Sequence, residues 1–213
     1  QSTIPEAMVI PPSSDMEVDA DLDLAGIDAI GLGPGLGKGN HAHKLVHHVL
    51  ENYTGPTVLD ADAINILGEK REWIALLHPN VVLTPHLKEF ERLTGKTCDN
   101  HLQRIKLAKD FCMNNHCSLV LKGAFSLLTF PDGTQVFNNS GTVFMATGGS
   151  GDVLTGILTS LLGQGYSMKN AAICGVFHHG HAGELAGEKY GRGTLPTDII
   201  NSIPQSLLAF GIE

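Results

Sequence analysis

Met145-Ala146-Thr147-Gly148-Gly149-Ser150-Gly151-Asp152-Val153-Leu154-Thr155-Gly156 runs three glycines and a serine into a single acid, and an apolar helical segment with Ile157, Leu158, Leu161 and Leu162 follows at once. A helix N-terminus exposes unpaired backbone N–H groups and carries about half a positive charge. Glycines let such a backbone approach a phosphate closely. A carboxylate repels anions, so Asp152 has no place in this turn as an anion ligand. It has one as a base that takes a proton from a hydroxyl while the N–H groups hold the phosphoryl group under attack. The combination suggests phosphoryl transfer to an alcohol. Alternatively, the turn is simply rich in glycine and Asp152 is an ordinary first-turn acid.

Outward from this stretch, short apolar strands alternate with helical segments. Ile27–Leu32 is expected as a buried strand that ends in Gly33-Pro34-Gly35-Leu36-Gly37. A helix is expected over His41–Tyr53, with Leu45, Val46, Val49 and Leu50 at helical spacing. Thr57–Leu59 runs into Asp60-Ala61-Asp62, and Val81–Leu83 into Thr84-Pro85-His86. A helix through Phe90 and Leu93 stops near Gly95. A further one covers His101–Asn115, with Leu102, Ile105, Leu107 and Ala108 on its apolar side. Leu119–Leu121 leads into Lys122-Gly123, and Leu127–Phe130 and Gln135–Phe137 flank Asp132-Gly133, a hairpin signal. The rest is expected to be helical over Val153–Leu162, Met168–Tyr190 and Thr197–Phe210. This alternation predicts an α/β fold with a mainly parallel sheet and helices on both faces. In such sheets ligands bind beyond the carboxyl ends of the strands, where four of the unusual motifs fall.

The 213 residues are 42% hydrophobic, enough for one sizeable core, and one domain is the default. A net charge of −8 without any Lys/Arg cluster argues against nucleic acid or an anionic membrane as partner. No apolar run is long enough to span a bilayer, and no secretory signal is present. The chain opens Gln1-Ser2-Thr3-Ile4 without Met and is read as a piece of a longer polypeptide. Cys98, Cys112, Cys117 and Cys174 show no C-x-x-C spacing, so reduced thiols and a cytoplasmic location are expected. Histidines cluster at His41/His43, His47/His48 and His178/His179/His181, but no cysteine or carboxylate completes a metal ligand set beside them.

At the predicted rim, Gly33, Gly35 and Gly37 can bring amides close to a ligand, though the string matches neither a P-loop nor G-x-G-x-x-G. Asp60 or Asp62 could hold Mg²⁺ through water or bind a substrate hydroxyl, or Asp62 could cap a helix. His86 and Glu89, three apart at a helix start, share one face. A carboxylate there can hold a Mg-bound water and the imidazole a polar ligand; alternatively they are a cap and a surface acid. Lys122 can neutralise phosphate charge or simply be solvated.

These motifs together resemble the ribokinase-like superfamily, and within it the ADP/ATP-dependent NAD(P)H-hydrate dehydratases. The similarity runs in order through PEAM (Pro5–Met8), GLGPGLG (Gly31–Gly37), VLDADAIN (Val58–Asn65), LTPHLKEFERLTG (Leu83–Gly95), LVLKGAFS (Leu119–Ser126), MATGGSGDVLTGIL (Met145–Leu158), HGHAGELA (His179–Ala186) and TDII (Thr197–Ile200). The resemblance implies a three-layer α/β/α domain with a β-hairpin near the nucleotide site. It also implies dehydration of the S-epimer of hydrated NADH or NADPH at the expense of ADP or ATP, with Mg²⁺. By the same resemblance Asp152 is catalytic. Gly33, Gly35, Gly37, His86 and Asp152 would contact the hydrate. Lys122, Gly123, Ala124, Phe125, Ser126, Gly149, Ser150 and Gly151 would bind the nucleotide, and Glu89 would support Mg²⁺. A homo-oligomer is expected. Two departures stand out: the α/β portion that usually precedes PEAM is expected to lie outside these 213 residues, and Gly141-Thr142-Val143-Phe144 replaces the usual Gly-Asn-Pro-Gly. The competing expectations are a vitamin-precursor or sugar kinase of the same fold and a non-catalytic nucleotide-binding fragment.

Overall fold

The computed structural model describes residues 4, 6–12 and 18–211. Pro5 of the PEAM motif lies outside the described residues, and Glu6, Ala7 and Met8 are exposed. The chain forms β1 (Ile30–Leu32), α1 (Asn40–Asn52), β2 (Thr57–Leu59), α2 (Ala61–Glu69), β3 (Val81–Leu83), α3 (Leu87–Thr94), α4 (His101–Asn115) and β4 (Ser118–Leu121). Then come β5 (Leu127–Thr129), β6 (Gln135–Phe137), α5 (Ser150–Gly163), α6 (Met168–Tyr190) and α7 (Pro196–Leu208).

The six strands lie side by side in chain order. β1 to β4 pair in parallel, with Ile30 opposite Thr57, Thr57 opposite Val81 and Val82 opposite Ser118. β5 and β6 return antiparallel around the Asp132-Gly133 turn. The fold is thus a mixed, mostly parallel sheet with helices on both faces.

Alternation along the strands sorts the core into two layers. Leu59, Leu83 and Leu119 face one way and pack with Val46 of α1, Ile64 of α2, Phe90 of α3 and Phe111 of α4. Val58, Val82, Val120 and Leu128 face the other way and pack with Leu154, Leu158 and Leu162 of α5 and Ala172 and Val176 of α6. α7 lies on α6, where the Ser206 hydroxyl is 2.9 Å from Nδ1 of both His178 and His181. Burial and the neighbouring His181 hold the His178 imidazole below its usual pKa.

Two expectations differ in detail. The first strand is only Ile30–Leu32 because its ladder opens with the Ile30 amide donating to Pro56, a residue with no N–H to return. Leu102, assigned to the apolar side of α4, is 79% exposed; Ile105, Leu107 and Ala108 do pack on the core, joined by Phe111 and Cys112. α4 begins after an Asn100 cap, whose side chain accepts from the Gln103 amide at 2.9 Å, and Leu102 lies in the exposed first turn.

Phe90 is fully buried, with its ring edge-on to Phe111 at 6.0 Å between centroids. Phe90→Ala should lower the unfolding free energy by about 3–5 kcal/mol, measured by chemical denaturation. A loss below about 1 kcal/mol would place Phe90 outside the core that joins α3 and α4 to the sheet.

Candidate active site

Parallel pairing sends the loops after β1, β2, β3 and β4 to the same side of the sheet. The loop after β1 folds back tightly: the Leu36 amide donates to the Gly33 carbonyl at 3.1 Å. Gly33 has φ +132°, and a Cβ there would collide with the Asp60 carbonyl, so only glycine fits between these two strand ends. The Gly37 amide donates to Asp62 Oδ2 at 2.9 Å, which ties this loop to the first turn of α2. Asp62 therefore secures the glycine loop, with Asn65 Nδ2 at 3.5 Å from its other oxygen.

Asp60 is 1% exposed, and both its oxygens are engaged. Oδ1 accepts from Lys122 Nζ at 2.7 Å, and Oδ2 accepts from Thr155 Oγ1 at 2.8 Å. Lys122 keeps two further ammonium hydrogens and is partly exposed. Beyond it Gly123, Ala124 and Phe125 are exposed, while the Ser126 carbonyl accepts from the Asn138 amide at 2.9 Å.

After β3 the chain turns into α3 through a reciprocal cap. His86 Nδ1 accepts from the Glu89 amide at 3.2 Å, and Glu89 Oε2 accepts from the His86 amide at 2.8 Å. An imidazole that accepts at Nδ1 carries its hydrogen on Nε2 when neutral, and this Nε2 is 3.5 Å from Glu89 Oε1. Glu89 is buried and His86 half exposed. His86 is bridged to Lys122 across the rim, and the Lys122 amide donates to the Pro85 carbonyl at 2.8 Å. The residues after β3 and β4 thus meet.

α5 completes the site from the other face of the sheet. Its N-cap, Gly149, has φ +92° and supplies no capping side chain, whereas α4 and α6 are capped by Asn100 and Ser167. No side chain takes the donors of this first turn, although the Ser150 amide donates to the Thr147 carbonyl at a long 3.4 Å. A Cβ on Gly151 would lie 3.2 Å from Lys122 Nζ and 3.6 Å from Asp60 Oδ2, so this turn rests on the ion pair. Ser150 is buried. Asp152 is exposed in the first turn, and no hydrogen bond or ion pair engages its carboxylate among the described residues. It borders a groove of about 580 Å³ that runs along α5 from Gly149 to Gln164 beside Pro196 and Ile200 of α7, and that is lined by none of Gly33, His86 or Lys122. A second hollow, of about 510 Å³, reaches the preceding Thr147 and is lined by Arg192 and Thr194.

Sequence reasoning missed two members of this assembly. Thr155 is a buried hydroxyl inside an apolar helix, one turn after Gly151, which is the signal that could have exposed it. His179 of α6 has Nε2 2.9 Å from the Ser150 carbonyl, so this nitrogen carries the hydrogen and donates. Desolvation lowers its pKa to about 4; the bond to Ser150 opposes that shift and the Lys122 charge adds to it.

The fold is that of a ribokinase-like protein. A ribokinase-like superfamily protein of Enterococcus faecalis V583 superposes with a TM-score of 0.74 at 26% identity, over 87% of this chain and 64% of that one. The NAD(P)H-hydrate dehydratase family model matches residues 1–205, and the chain belongs to that family. The ADP/ATP-dependent NAD(P)H-hydrate dehydratase of Bacillus subtilis, co-crystallized with ATP/Mg²⁺, is similar with a TM-score of 0.74 and 32% identity, over 90% of this chain and 68% of that one. The bifunctional NAD(P)H-hydrate repair enzyme Nnr of Moorella thermoacetica is 38% identical over 186 residues. That match covers 86% of this chain but only 35% of the relative, so the chain spans about a third of the length of such relatives.

A histidine held neutral by burial makes stability depend on pH. His179 binds its proton only near pH 4 when folded, against about 6.5 when unfolded, so its contribution is complete above about pH 6.5 and is lost as pH falls towards 4. The loss amounts to about 3 kcal/mol. His179→Gln keeps an N–H donor without the titration. Denaturation curves between pH 7 and 4 should show a shallower decline in the variant, and parallel declines would remove His179 as the cause.

Proposed function

We propose that this chain catalyses ADP- or ATP-dependent dehydration of the S-epimer of hydrated NADH or NADPH, restoring the dihydronicotinamide and releasing phosphate. The observation that carries this is the unengaged Asp152 carboxylate in an uncapped glycine turn seated on Lys122. Family membership and the names of the relatives support it.

Hydroxide is a poor leaving group and phosphate a good one. Asp152 takes the proton of the ring hydroxyl, and that oxygen attacks the terminal phosphoryl group of the nucleotide. The bond from that phosphorus to the bridging oxygen breaks, and the shortened nucleotide leaves with the electron pair. The ring nitrogen lone pair then expels phosphate from the phosphorylated carbon, and loss of a proton from the adjacent carbon restores the double bond. The amides of Gly149, Ser150 and Gly151 and the ammonium of Lys122 stabilise the charge of the transferring group. Gly33, Gly35, Gly37 and His86 line the hydrate's side of the rim, where the Nε2–H of His86 is a donor to a polar ligand. Gly123, Ala124, Phe125 and Ser126 flank the nucleotide.

Among the described residues no group of three or more His, Cys, Asp or Glu side chains is placed to hold a metal ion. Mg²⁺ does not need such a cage, since it commonly rests on substrate phosphates, waters and one or two carboxylates. Glu89 fits that use: Oε2 is taken by the His86 amide, and Oε1 retains lone pairs for a water. Bound there, Mg²⁺ would neutralise phosphate charge. The cytoplasm is the proposed site of action, in keeping with four free thiols; no helix among the described residues is long and apolar enough to cross a membrane.

Asp152→Asn should lower kcat by about 10²–10⁴-fold while nucleotide affinity stays within severalfold. The assay follows recovery of reduced-nicotinamide absorbance and release of phosphate from the S-hydrate with either nucleotide. Unchanged turnover would take the base role from Asp152. A stable phosphorylated product in place of reduced cofactor would make the protein a kinase.

A further inference from the structure

Asp60 has no part in the chemistry above, yet it is the most deeply buried carboxylate at the rim. Its two oxygens bind side chains from elements far apart in sequence: Lys122, just past β4, and Thr155, in the second turn of α5. The single hydrogen of the Thr155 hydroxyl goes to Asp60 Oδ2 at 2.8 Å rather than to the Gly151 carbonyl at 3.3 Å. Ala61, the next residue, has φ +45°, a left-handed conformation unfavourable for alanine. The Asp60 carbonyl abuts Gly33, and the Asp60 amide donates to the Leu32 carbonyl at 3.0 Å. The glycine loop, β2, Lys122 and the start of α5 therefore meet at one residue.

This placement works against affinity. A carboxylate under a helix N-terminus and beside a lysine weakens their joint attraction for phosphate, and burying it carries a desolvation cost. What it gains is position. With one oxygen it fixes the ammonium of Lys122, and with the other the height of the turn that carries Gly151 and Asp152.

We infer that Asp60 and Thr155 are positioning residues of this site, a clasp that aligns the amide turn and the Lys122 ammonium at the expense of nucleotide affinity. The inference rests on the site being nucleotide-dependent as proposed above. The clasp acts through Lys122 and Gly151 and touches no ligand itself.

Thr155→Val keeps the volume and removes the donor; Thr155→Ser restores it. On the full-length protein, Thr155→Val should lower kcat by about 100-fold with the dissociation constants of ADP and ATP little changed, and Thr155→Ser should regain most of the rate. Amide hydrogen exchange at residues 150–155 should accelerate in the valine variant and not in the serine variant. Asp60→Asn should bind nucleotide severalfold tighter while kcat falls, because the opposing charge is gone and the alignment with it. A merely structural role predicts something else: less folded protein, unchanged kcat per folded molecule and no split between affinity and rate. That result, or equal loss in the valine and serine variants, overturns the clasp. If Asp60→Asn does not fold, the Thr155 pair decides. If the unaltered protein binds nucleotide but restores no reduced cofactor, the dehydratase reading fails by itself, and affinity and exchange still decide the clasp. If it binds no nucleotide, both fall.

Discussion

Parallel pairing of β1 to β4 is the constraint on which the rest of this structure depends. Each of these strands is three or four residues long and nearly in line with its neighbours, so the four loops that leave them emerge within a few residues of one level. A parallel sheet must be covered on both faces. The alternating side chains of β2, β3 and β4 divide accordingly, Leu59, Val81, Leu83 and Leu119 towards α1 to α4 and Val58, Val82 and Val120 towards α5 and α6. α5 thereby comes in from the face opposite α2 and α3, and its first turn meets the residues after β2 and β4 at the rim. Lys122, Asp60 and Gly151 are adjacent because the sheet leaves them no other place.

Much of this was legible in the sequence, for a local reason. α4 and α6 have the expected bounds, and the Asp132-Gly133 turn produces the hairpin it signals. Strands flanked by GPGLG, DAD, TPH and KG point to a rim before any contact is known. What stayed hidden depends on three-dimensional neighbours. Asp60 and Lys122 are 62 residues apart, and Asp60 and Thr155 are 95 apart. Nothing in either local string tells whether an acid after a strand will hold a metal, cap a helix or bind a lysine. His179 likewise reads as one of a histidine cluster until α6 is laid across the start of α5. A first-turn Glu89 can by sequence be a metal-supporting or a surface acid, and the cap with His86 draws it inside. Leu102 differs the other way: helical spacing assigns it a face, but the first turn of α4 is exposed.

The electrostatics of the rim follow from what is neutralised and what is left free. Lys122 is paired but has hydrogens to spare. His179 is kept neutral by burial, so it adds a donor to the Ser150 carbonyl without adding charge near the ammonium. The α5 terminus, with no side chain at its cap, retains its partial positive charge.

Asp60 and Asp152 both lie at this helix start, and their surroundings give them opposite capacities. A carboxylate is a useful base only if one oxygen can receive a proton without breaking bonds that hold the site together. Asp60 has none to offer: protonating it would surrender either the ion pair to Lys122 or the bond from Thr155, and with it the seat of the turn. Asp152 is exposed, in the first turn of the same helix, and among the described residues no hydrogen bond or ion pair engages its carboxylate. On the proposed chemistry the division is therefore enforced by packing. The buried acid holds the phosphate-binding turn still, and the open one is left to act on what enters.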